Sequence, residues 1–438
     1  MPESFLYFLW QYQYFSALGL STTEGEPVQV LHPGFRNPNA GPDFLNARLI
    51  VGDVEWGGTV EAHTKTSDWL AHRHQHDPAY DNVILHLVWE NDRPRPQQAI
   101  ARTDGTPIPT LELKDRTAGD LLQRYLQLAD SGESIPCAGQ FQTVHPLRRT
   151  AMLDKALMQR LEQKAGLVYQ IYEATGQDWE ETTYRLLAIN FGFRINADPM
   201  EQLSRAVPLK VIQKHRNTLI QVEAMLFGTA GMLRNLTERD EYTEALLREY
   251  RFLSAKYNLA DKELPGYIWK WSRLRPANFP TLRLAQIVSL LTLHRSLFSV
   301  FMDTTEVADL LRALQIHPSD YWRTHYRFGK ATEKAAPMLG SSSASTLLIN
   351  TAVPLLAAYA HHRNQPHYID RAVGLLEQLP AEKNNIITRW TELDLPITSA
   401  FDSQASLELY NEFCLPKKCL NCQIGLALVR PGGILVDK

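Results

Sequence analysis

Residues 41–92 read GPDFLNARLIVGDVEWGGTVEAHTKTSDWLAHRHQHDPAYDNVILHLVWEND, and this stretch decides the fold. Residues 46–51 and 54–65 show the two-residue alternation of strands, and the Gly-Asp pair between them suits a hairpin turn. Residues 82–90 are apolar on both faces, which is typical of a central strand. The stretch therefore predicts a sheet built from a hairpin and a buried strand.

The flanking segments extend this sheet into a layered domain. Residues 5–15 are apolar almost all round a helix, and residues 28–31 form a short strand. Residues 66–76 are expected to form a capped helix, and residues 107–113 an edge strand. The order of helix, three strands, helix and strand predicts an α/β domain with a mixed sheet in a sandwich.

The remainder of the chain predicts a larger all-α domain. Helical periodicity recurs along it, with polar loops between the helices. The helical segments are 147–175, 178–191, 198–230, 241–257, 280–301, 305–314 and 345–362. We therefore expect an α/β domain at 1–120, a helical domain at 121–400 and a Cys-rich metal-binding tail at 401–438.

Composition narrows the class of protein. The 438 residues are 44% hydrophobic and 21% charged, as in ordinary globular proteins, and the net charge of −3 gives no global nucleic-acid signature. The N-terminus lacks the basic region of a signal peptide, and no apolar run reaches the roughly 18 residues of a membrane span. A cytoplasmic location without a membrane follows as the expectation, and the oligomeric state is left open.

Charged residues on the long strand suggest a metal site. Residues two apart share one face of a strand, so Glu61, His63 and Lys65 line one side, and Asp43 stands at the mouth of the preceding strand. Two facing carboxylates favour a cation between them, and Mg²⁺ or Mn²⁺ prefers such oxygen ligands. A nearby Lys could then orient the attacking water and stabilise charge on a phosphate.

These residues resemble the PD-(D/E)xK nuclease motif. Pro42-Asp43 and Glu61-Ala62-His63 stand in its positions, and the element order matches the restriction-endonuclease-like core. The resemblance implies a metal-dependent nuclease acting on nucleic acid, with Asp43 and Glu61 as metal ligands. The chain departs from the motif because His63 occupies the Lys position, so His63 or Lys65 would take that role.

Other interpretations of the same stretch remain open. The carboxylates could be a surface ion pair in a non-catalytic nucleic-acid-binding or scaffold protein. A third interpretation is a zinc or manganese hydrolase, because His72 and His76 have the i, i+4 spacing of helical zinc ligands and could join His63. On that helix His74 points away. The additional candidate ligands of the stretch are His74, Asp77 and His86.

The cysteines form a second candidate metal site. The four Cys of the chain are Cys137, Cys414, Cys419 and Cys422, and the last three follow a C-x4-C-x2-C spacing. Cys137 could supply a fourth ligand if the C-terminus folds back on the first domain, and zinc or an iron–sulfur cluster accepts four thiolates. One distant Cys with a C-terminal triplet resembles the iron–sulfur staple of helicase-linked and CRISPR-associated nucleases.

Basic residues of the helical domain are candidate phosphate ligands. Arg273, Arg275 and Arg283 flank RLRPANFPTLRLAQ, where a proline stands near a helix start. Helix N-termini and Arg forks bind phosphate, although such charges more often form a solvated face.

Several stretches together resemble DUF2851, a bacterial protein family of unknown function. They are NPNAGPDF, VEAHTKTSDW, YDNVILHLV, LFGTAG, RLRPANFP and KKCLNCQIG, and they span nearly the whole chain. The family carries no established activity, so the resemblance adds no functional residue.

Overall fold

A computed structural model describes residues 1–93, 100–234, 236–333, 336 and 338–430. The chain divides into two compact units. The first comprises Met1–Met152 and the described part of Tyr410–Lys438, and the second is Leu153–Leu409. The division thus differs from the predicted boundaries after residues 120 and 400, and it places the cysteine-bearing tail in the same unit as the sheet. Residues 431–438 of that tail lie outside the described part.

A six-stranded mixed sheet forms the centre of the first unit. Its strands are β1 (Val28–His32), β2 (Phe35–Arg36), β3 (Phe44–Val51), β4 (Val54–Lys65), β5 (Val83–Glu90) and β6 (Thr110–Glu112). The order is β1-β3-β4-β5-β6, with β2 also paired to β3. The pairs up to β4 are antiparallel, whereas β4–β5 and β5–β6 are parallel. The predicted mixed sheet is confirmed.

The N-terminal helix packs on this sheet, as its apolar sequence predicts. Helix α1 (Glu3–Gln11) buries Phe5, Leu6 and Leu9 completely. Burial of such side chains contributes about 1.5–3 kcal/mol each, so α1 is a major part of the core. Trp10 is also buried, and its Nε1 donates to the Pro33 carbonyl at 2.8 Å, which fixes the loop before β2.

The predicted helix over residues 66–76 is wrong in its length. Helix α2 spans only Asp68–Ala71, and two 3₁₀ turns follow at His74–His76 and Pro78–Tyr80. Arg73 adopts φ +63°, which is a left-handed conformation that a continuing helix cannot contain. The chain therefore changes direction in the middle of the histidine-rich stretch.

The first unit contains further helical segments outside the sheet. These are α3 (Gly119–Ala129), the start of α4 (Pro146–Ala174), 3₁₀ turns at Lys114–Arg116, Ala138–Thr143 and Cys419–Asn421, and the C-terminal helix Gln423–Val429.

The second unit is helical, as predicted. Its helices are the rest of α4, Trp179–Phe191, Ala197–Ala206, Leu209–His215, Leu219–Thr229, Glu241–Tyr257, Pro280–Leu293, Leu297–Asp303, Val307–Leu314, Asp320–Thr324, Ser341–Leu347, Val353–Arg363, His367–Gln378, Asn385–Glu392 and Ala400–Glu408. Single-turn 3₁₀ segments lie at Ala260–Lys262, Gly266–Ile268 and Pro276–Asn278, and a π-helical turn lies at Leu348–Ala352. A second π-helical turn, Leu409–Cys414, begins at the last residue of this unit and continues into the first unit. A small hairpin joins His325–Arg327 to Lys330–Ala331.

Two predicted long helices of this unit, 198–230 and 280–301, are broken into pieces, the second of them between Leu293 and Leu297. The segment 198–230 contains three helices, because Pro208 stands between the first two and the residue before a proline disfavours helical backbone.

One helical run among the described residues, Ser341–Arg363, is long and apolar enough to cross a membrane by length and composition. Of its most apolar window, 78% is buried inside the fold, as in core helices. The pair Pro280–Leu293 and Leu297–Asp303 passes the same test together but bends by 77°.

The close packing of β4 on β5 gives a stability prediction. An added Cβ at Gly58 would lie 2.5 Å from Ile84 Cγ2 and 2.6 Å from the Asn82 carbonyl, whereas at Gly57 nothing lies within 4 Å. Gly58→Ala should lower the free energy of unfolding by roughly 1–3 kcal/mol through overpacking. The matched control Gly57→Ala should stay near wild type. Urea denaturation followed by circular dichroism measures both, and equal midpoints for the two variants would contradict this close packing.

Candidate metal centre

A bulge in β3 places the two predicted carboxylates opposite each other. From Val51↔Val54 to Ala47↔Gly58 the register of β3 with β4 is regular, and then it shifts so that Phe44 pairs with Val60. The extra residue is accommodated at Asn46, whose φ is +57°. Without the shift Phe44 would face Glu61; with it, Asp43 follows next in register and reaches Glu61.

Reciprocal hydrogen bonds hold this carboxylate pair. The Asp43 backbone N–H donates to Glu61 Oε2 at 3.0 Å, and the Ala62 N–H donates to Asp43 Oδ2 at 3.1 Å. Arg36 Nη1 lies 3.0 Å from Asp43 Oδ1 and balances one of the two charges. Each carboxylate is thus fixed in orientation, and the second oxygen of Glu61, Oε1, does not take part in this pairing.

Burial makes the ionised form of these carboxylates costly. It raises the pKa of Asp43, and burial together with the Asp43 charge raises the pKa of Glu61 to about 8. A divalent cation at Glu61 would reverse this effect by favouring the charged form.

Three histidine rings converge beside Glu61. The ligand atoms of His63, His72 and His74 all lie within 4.8 Å of one another, and among the described residues these are the one such group of three. His63 Nε2 lies 3.1 Å from His72 Nδ1. Glu61 Oε1 lies 3.5 Å from His63 Nε2 and 3.6 Å from His74 Nε2. The three imidazole nitrogens therefore lie around one point, and one Glu61 oxygen lies beside two of the rings, those of His63 and His74.

His74 takes the place that the spacing argument gave to His76. Because the chain turns at Arg73, His74 is buried, whereas His76 is exposed. The Tyr80 ring covers His74 with centroids 3.8 Å apart. The expectation that His74 points away assumed a continuous helix and is wrong. Asp77 caps the next 3₁₀ turn by accepting from the Ala79 N–H at 2.9 Å.

His86 supports the group from the neighbouring strand. It is completely buried on β5, and its Nε2 lies 2.9 Å from His63 Nδ1. Such a contact at the second ring nitrogen commonly fixes the orientation of a metal-binding histidine. His86 is therefore placed to position His63 rather than to bind a metal directly.

The electrostatics of the rings suit metal binding. Burial, with the neighbouring imidazoles, lowers the pKa of His63 to about 3 and that of His74 to about 4. Both rings are therefore neutral near pH 7, which is the form that binds a metal. His74 Nε2 is buried and has no hydrogen-bond partner, although buried polar atoms normally have one. A cation between the rings would satisfy it.

The predicted Lys65 lies apart from this group. It is exposed at the end of β4, pairs in register with Glu90, and has Glu90 and Asp92 as its charged neighbours. Lys65 is the last residue of β4, so its side chain extends into solvent. It is therefore not placed to assist Glu61 as the motif would require.

The three predicted phosphate ligands belong to the second unit, where one of them is buried and two are exposed. Arg283 is 5% exposed and donates to Gln286 Oε1 at 2.9 Å and to Asn278 Oδ1 at 2.6 Å. Its guanidinium therefore forms hydrogen bonds inside the protein. Arg273 and Arg275 are exposed.

The four cysteines come together within the first unit. Cys137, Cys414, Cys419 and Cys422 are all buried, with 7–8% exposure, and none forms a disulfide. The C-terminal segment therefore does fold back on the first unit, as the fourth-ligand argument required.

Comparison with known proteins places the chain in a family. The family described as "Protein of unknown function (DUF2851)" matches residues 3–385. The chain belongs to this family. The DUF2851 match includes the candidate metal centre and Cys137, and ends before Cys414. No curated protein and no solved structure matches the chain, and nothing in these comparisons links DUF2851 to the nuclease superfamily.

Sequence reasoning missed two side chains of the centre. Arg36 contacts Asp43, and Tyr80 stacks on His74. For Arg36 the sequence held no signal, because its position depends on the pairing of β2 with β3. For Tyr80 the Asp77-Pro78 pair was a usable signal, since it marks a new turn that brings the following residues back.

The histidine group predicts a metal affinity that a matched pair of variants can test. His72 and His76 are both exposed and lie in the same connection, so replacing either should leave the fold intact. His72→Ala removes a proposed ligand and should weaken Zn²⁺ binding by at least about tenfold. Loss of a residue that only hydrogen-bonds to a metal ligand already weakens binding by about that factor. His76→Ala should bind as the wild type does. Isothermal titration of metal-free protein measures both, and equal affinities in the two variants would contradict the three-histidine centre.

Proposed function

We propose that this protein is a metal-dependent hydrolase whose metal is held by His63, His72 and His74, with Glu61 beside it. The observation that carries the proposal is the convergence of the three rings within 4.8 Å, with Glu61 Oε1 at 3.5–3.6 Å from two of them. Three protein nitrogens leave one position of a tetrahedral site for water, which is the arrangement of catalytic rather than structural zinc sites. Zinc or manganese suits imidazole ligands.

Each residue around the proposed metal has its own role in the reaction. A metal held by these residues would supply a nucleophile near neutral pH, because a bound metal lowers the pKa of water. Glu61 is positioned to accept the proton of that water, because its Oε1 faces the rings while Oε2 is held by the Asp43 N–H. Asp43 and Arg36 keep Glu61 in place from the other side. His86 orients His63.

For the substrate we propose a phosphodiester, with nucleic acid as the class. Support comes from the order of a helix, antiparallel strands and a parallel strand in this unit, with Asp43 and Glu61 at the positions of the nuclease motif. The connection before the parallel strand consists of short turns, where the nuclease core has a helix. The guanidinium of Arg36, one third exposed, could also contact a phosphate oxygen at this edge.

The second candidate is a magnesium-dependent nuclease that uses Asp43 and Glu61 alone. The reciprocal bonding of the two buried carboxylates favours it, because a hard cation would relieve their shared charge. It differs from the first candidate in needing no histidine ligand, so metal preference and histidine variants separate the two.

The test is hydrolysis by the full chain, stripped of metal by a chelator and reloaded with Zn²⁺, Mn²⁺ or Mg²⁺. Substrates are bis(4-nitrophenyl) phosphate and fluorescent single- and double-stranded DNA and RNA. We expect turnover with Zn²⁺ or Mn²⁺, a loss of at least about 100-fold in Glu61→Gln, a similar loss in His72→Ala, and wild-type turnover in His76→Ala.

The alternatives give different results in the same assay. Turnover that requires Mg²⁺, survives in His72→Ala and is lost in Asp43→Asn would replace the first candidate by the second. Metal binding without turnover of any phosphodiester would remove the proposed substrate class. Absence of both metal binding and turnover would leave a non-catalytic scaffold role.

A further inference from the structure

The cysteine group of the first unit is a second cluster of potential metal ligands, and it shares no residue with the candidate metal centre. Each of its four cysteines stands at the end of a short helical element. Cys137 precedes the turn Ala138–Thr143, Cys414 ends the turn Leu409–Cys414, Cys419 opens Cys419–Asn421, and Cys422 precedes Gln423–Val429. Their positions are therefore set by hydrogen-bonded backbone beside each of them.

Backbone contacts fix the C-terminal three. The Lys417 N–H donates to the Cys414 carbonyl at 3.0 Å, and the Cys422 N–H donates to the Cys419 carbonyl at 3.3 Å. At Gly425 an added Cβ would lie 2.2 Å from the Cys419 carbonyl, so only glycine lets the last helix approach this loop. The Gln423 N–H also reaches Met152 Sδ at 3.4 Å, which ties the loop to the start of α4.

The distances between the four sulfurs bear on whether the group suits a single zinc ion or an iron–sulfur cluster. Burial raises the pKa of the Cys137, Cys414 and Cys419 thiols, and neighbouring thiols of the same group, Cys422 among them, raise it further, so the four cysteines lie in one group. Yet among the described residues no three of these sulfurs lie within 4.8 Å of one another. A single zinc with Zn–S bonds of about 2.3 Å would bring all four sulfurs to about 3.8 Å from each other. The group is thus wider than a single zinc requires.

We propose that Cys137, Cys414, Cys419 and Cys422 ligate an iron–sulfur cluster. Such a cluster is bound by four cysteine thiolates, and because two or more irons lie between them, the sulfurs stand farther apart than around one ion. A cluster would also explain why four thiols that are distant in sequence are gathered in one buried, apolar place. The inference does not depend on the proposed hydrolase activity.

The cluster would join two segments that are far apart in the chain. Cys137 belongs to the connection between α3 and α4, and the other three ligands follow the helical unit. Metal binding by four preorganised thiolates stabilises the folded state, so the cluster would hold residues 414–422 on the segment around Cys137.

The test is anaerobic purification of the full chain, followed by iron, zinc and acid-labile sulfide analysis and a visible absorption spectrum. We expect a brown protein with about two or about four irons per chain and as many sulfides, the two nuclearities that four cysteines hold. Cys414→Ala should lower the iron content at least about tenfold. His72→Ala, which alters only the imidazole group, should keep both the iron and the spectrum.

Each other result has a definite meaning. About one zinc per chain without iron or sulfide would overturn the cluster, and so would protein purified without any metal. Iron that is lost in His72→Ala and kept in Cys414→Ala would belong to the imidazole group and would also overturn it. Because the first measurement is made on the wild type, poor folding of a cysteine variant would not obscure the answer. Wild-type protein that contains the iron and sulfide but hydrolyses no phosphodiester with any of the three metals would refute the proposed hydrolase and leave the cluster standing.

Discussion

The parallel pairing of β4 with β5 is the constraint on which the candidate metal centre depends. Parallel neighbours cannot be joined by a tight turn, so the chain must cross from the end of β4 back to the start of β5. Here that crossover is residues 66–82, and it is made of short turns rather than one helix. It therefore stays close to the strand it leaves, which brings His72 and His74 back over His63. The same pairing places His86 beside His63 on the next strand.

Proton arrangement explains why these buried rings favour a cation. A neutral imidazole carries one N–H, and His63 uses both ring nitrogens, towards His86 at 2.9 Å and His72 at 3.1 Å. If His63 and His72 held a cation, the His63 Nδ1–H would remain to donate to His86 Nε2. His74 Nε2, which is buried and has no hydrogen-bond partner, would have that ion as its partner. One unfavourable contribution remains, because His86 Nδ1 is buried and has no hydrogen-bond partner.

The sequence predicted the strands well and the local irregularities poorly. Val54–Lys65 follows from its apolar alternation, and Val83–Glu90 from an uninterrupted apolar run, because burial of one or both faces leaves a direct mark on composition. The two features that assemble the centre are a bulge at Asn46 and a left-handed Arg73. Neither follows from hydrophobic periodicity, since each depends on one residue's backbone conformation. The choice of His76 over His74 failed for this reason, and Asp43 was found by motif rather than by register.

The long sequence separation between Cys137 and the other three cysteines adds little to the free-energy cost of bringing them together. The whole unit Leu153–Leu409 lies between Cys137 and Cys414 in the chain. The entropic cost of closing a loop grows only as the logarithm of its length, by about 0.6 kcal/mol for each doubling, and a folded segment within the loop shortens its effective span. Ligands on both sides of an inserted domain can thus meet at little extra cost. The four cysteines meet because Tyr410 and the described residues after it belong to the first unit. Composition does not reveal this assignment, and the cysteine spacing only indicated that it was needed for a fourth ligand.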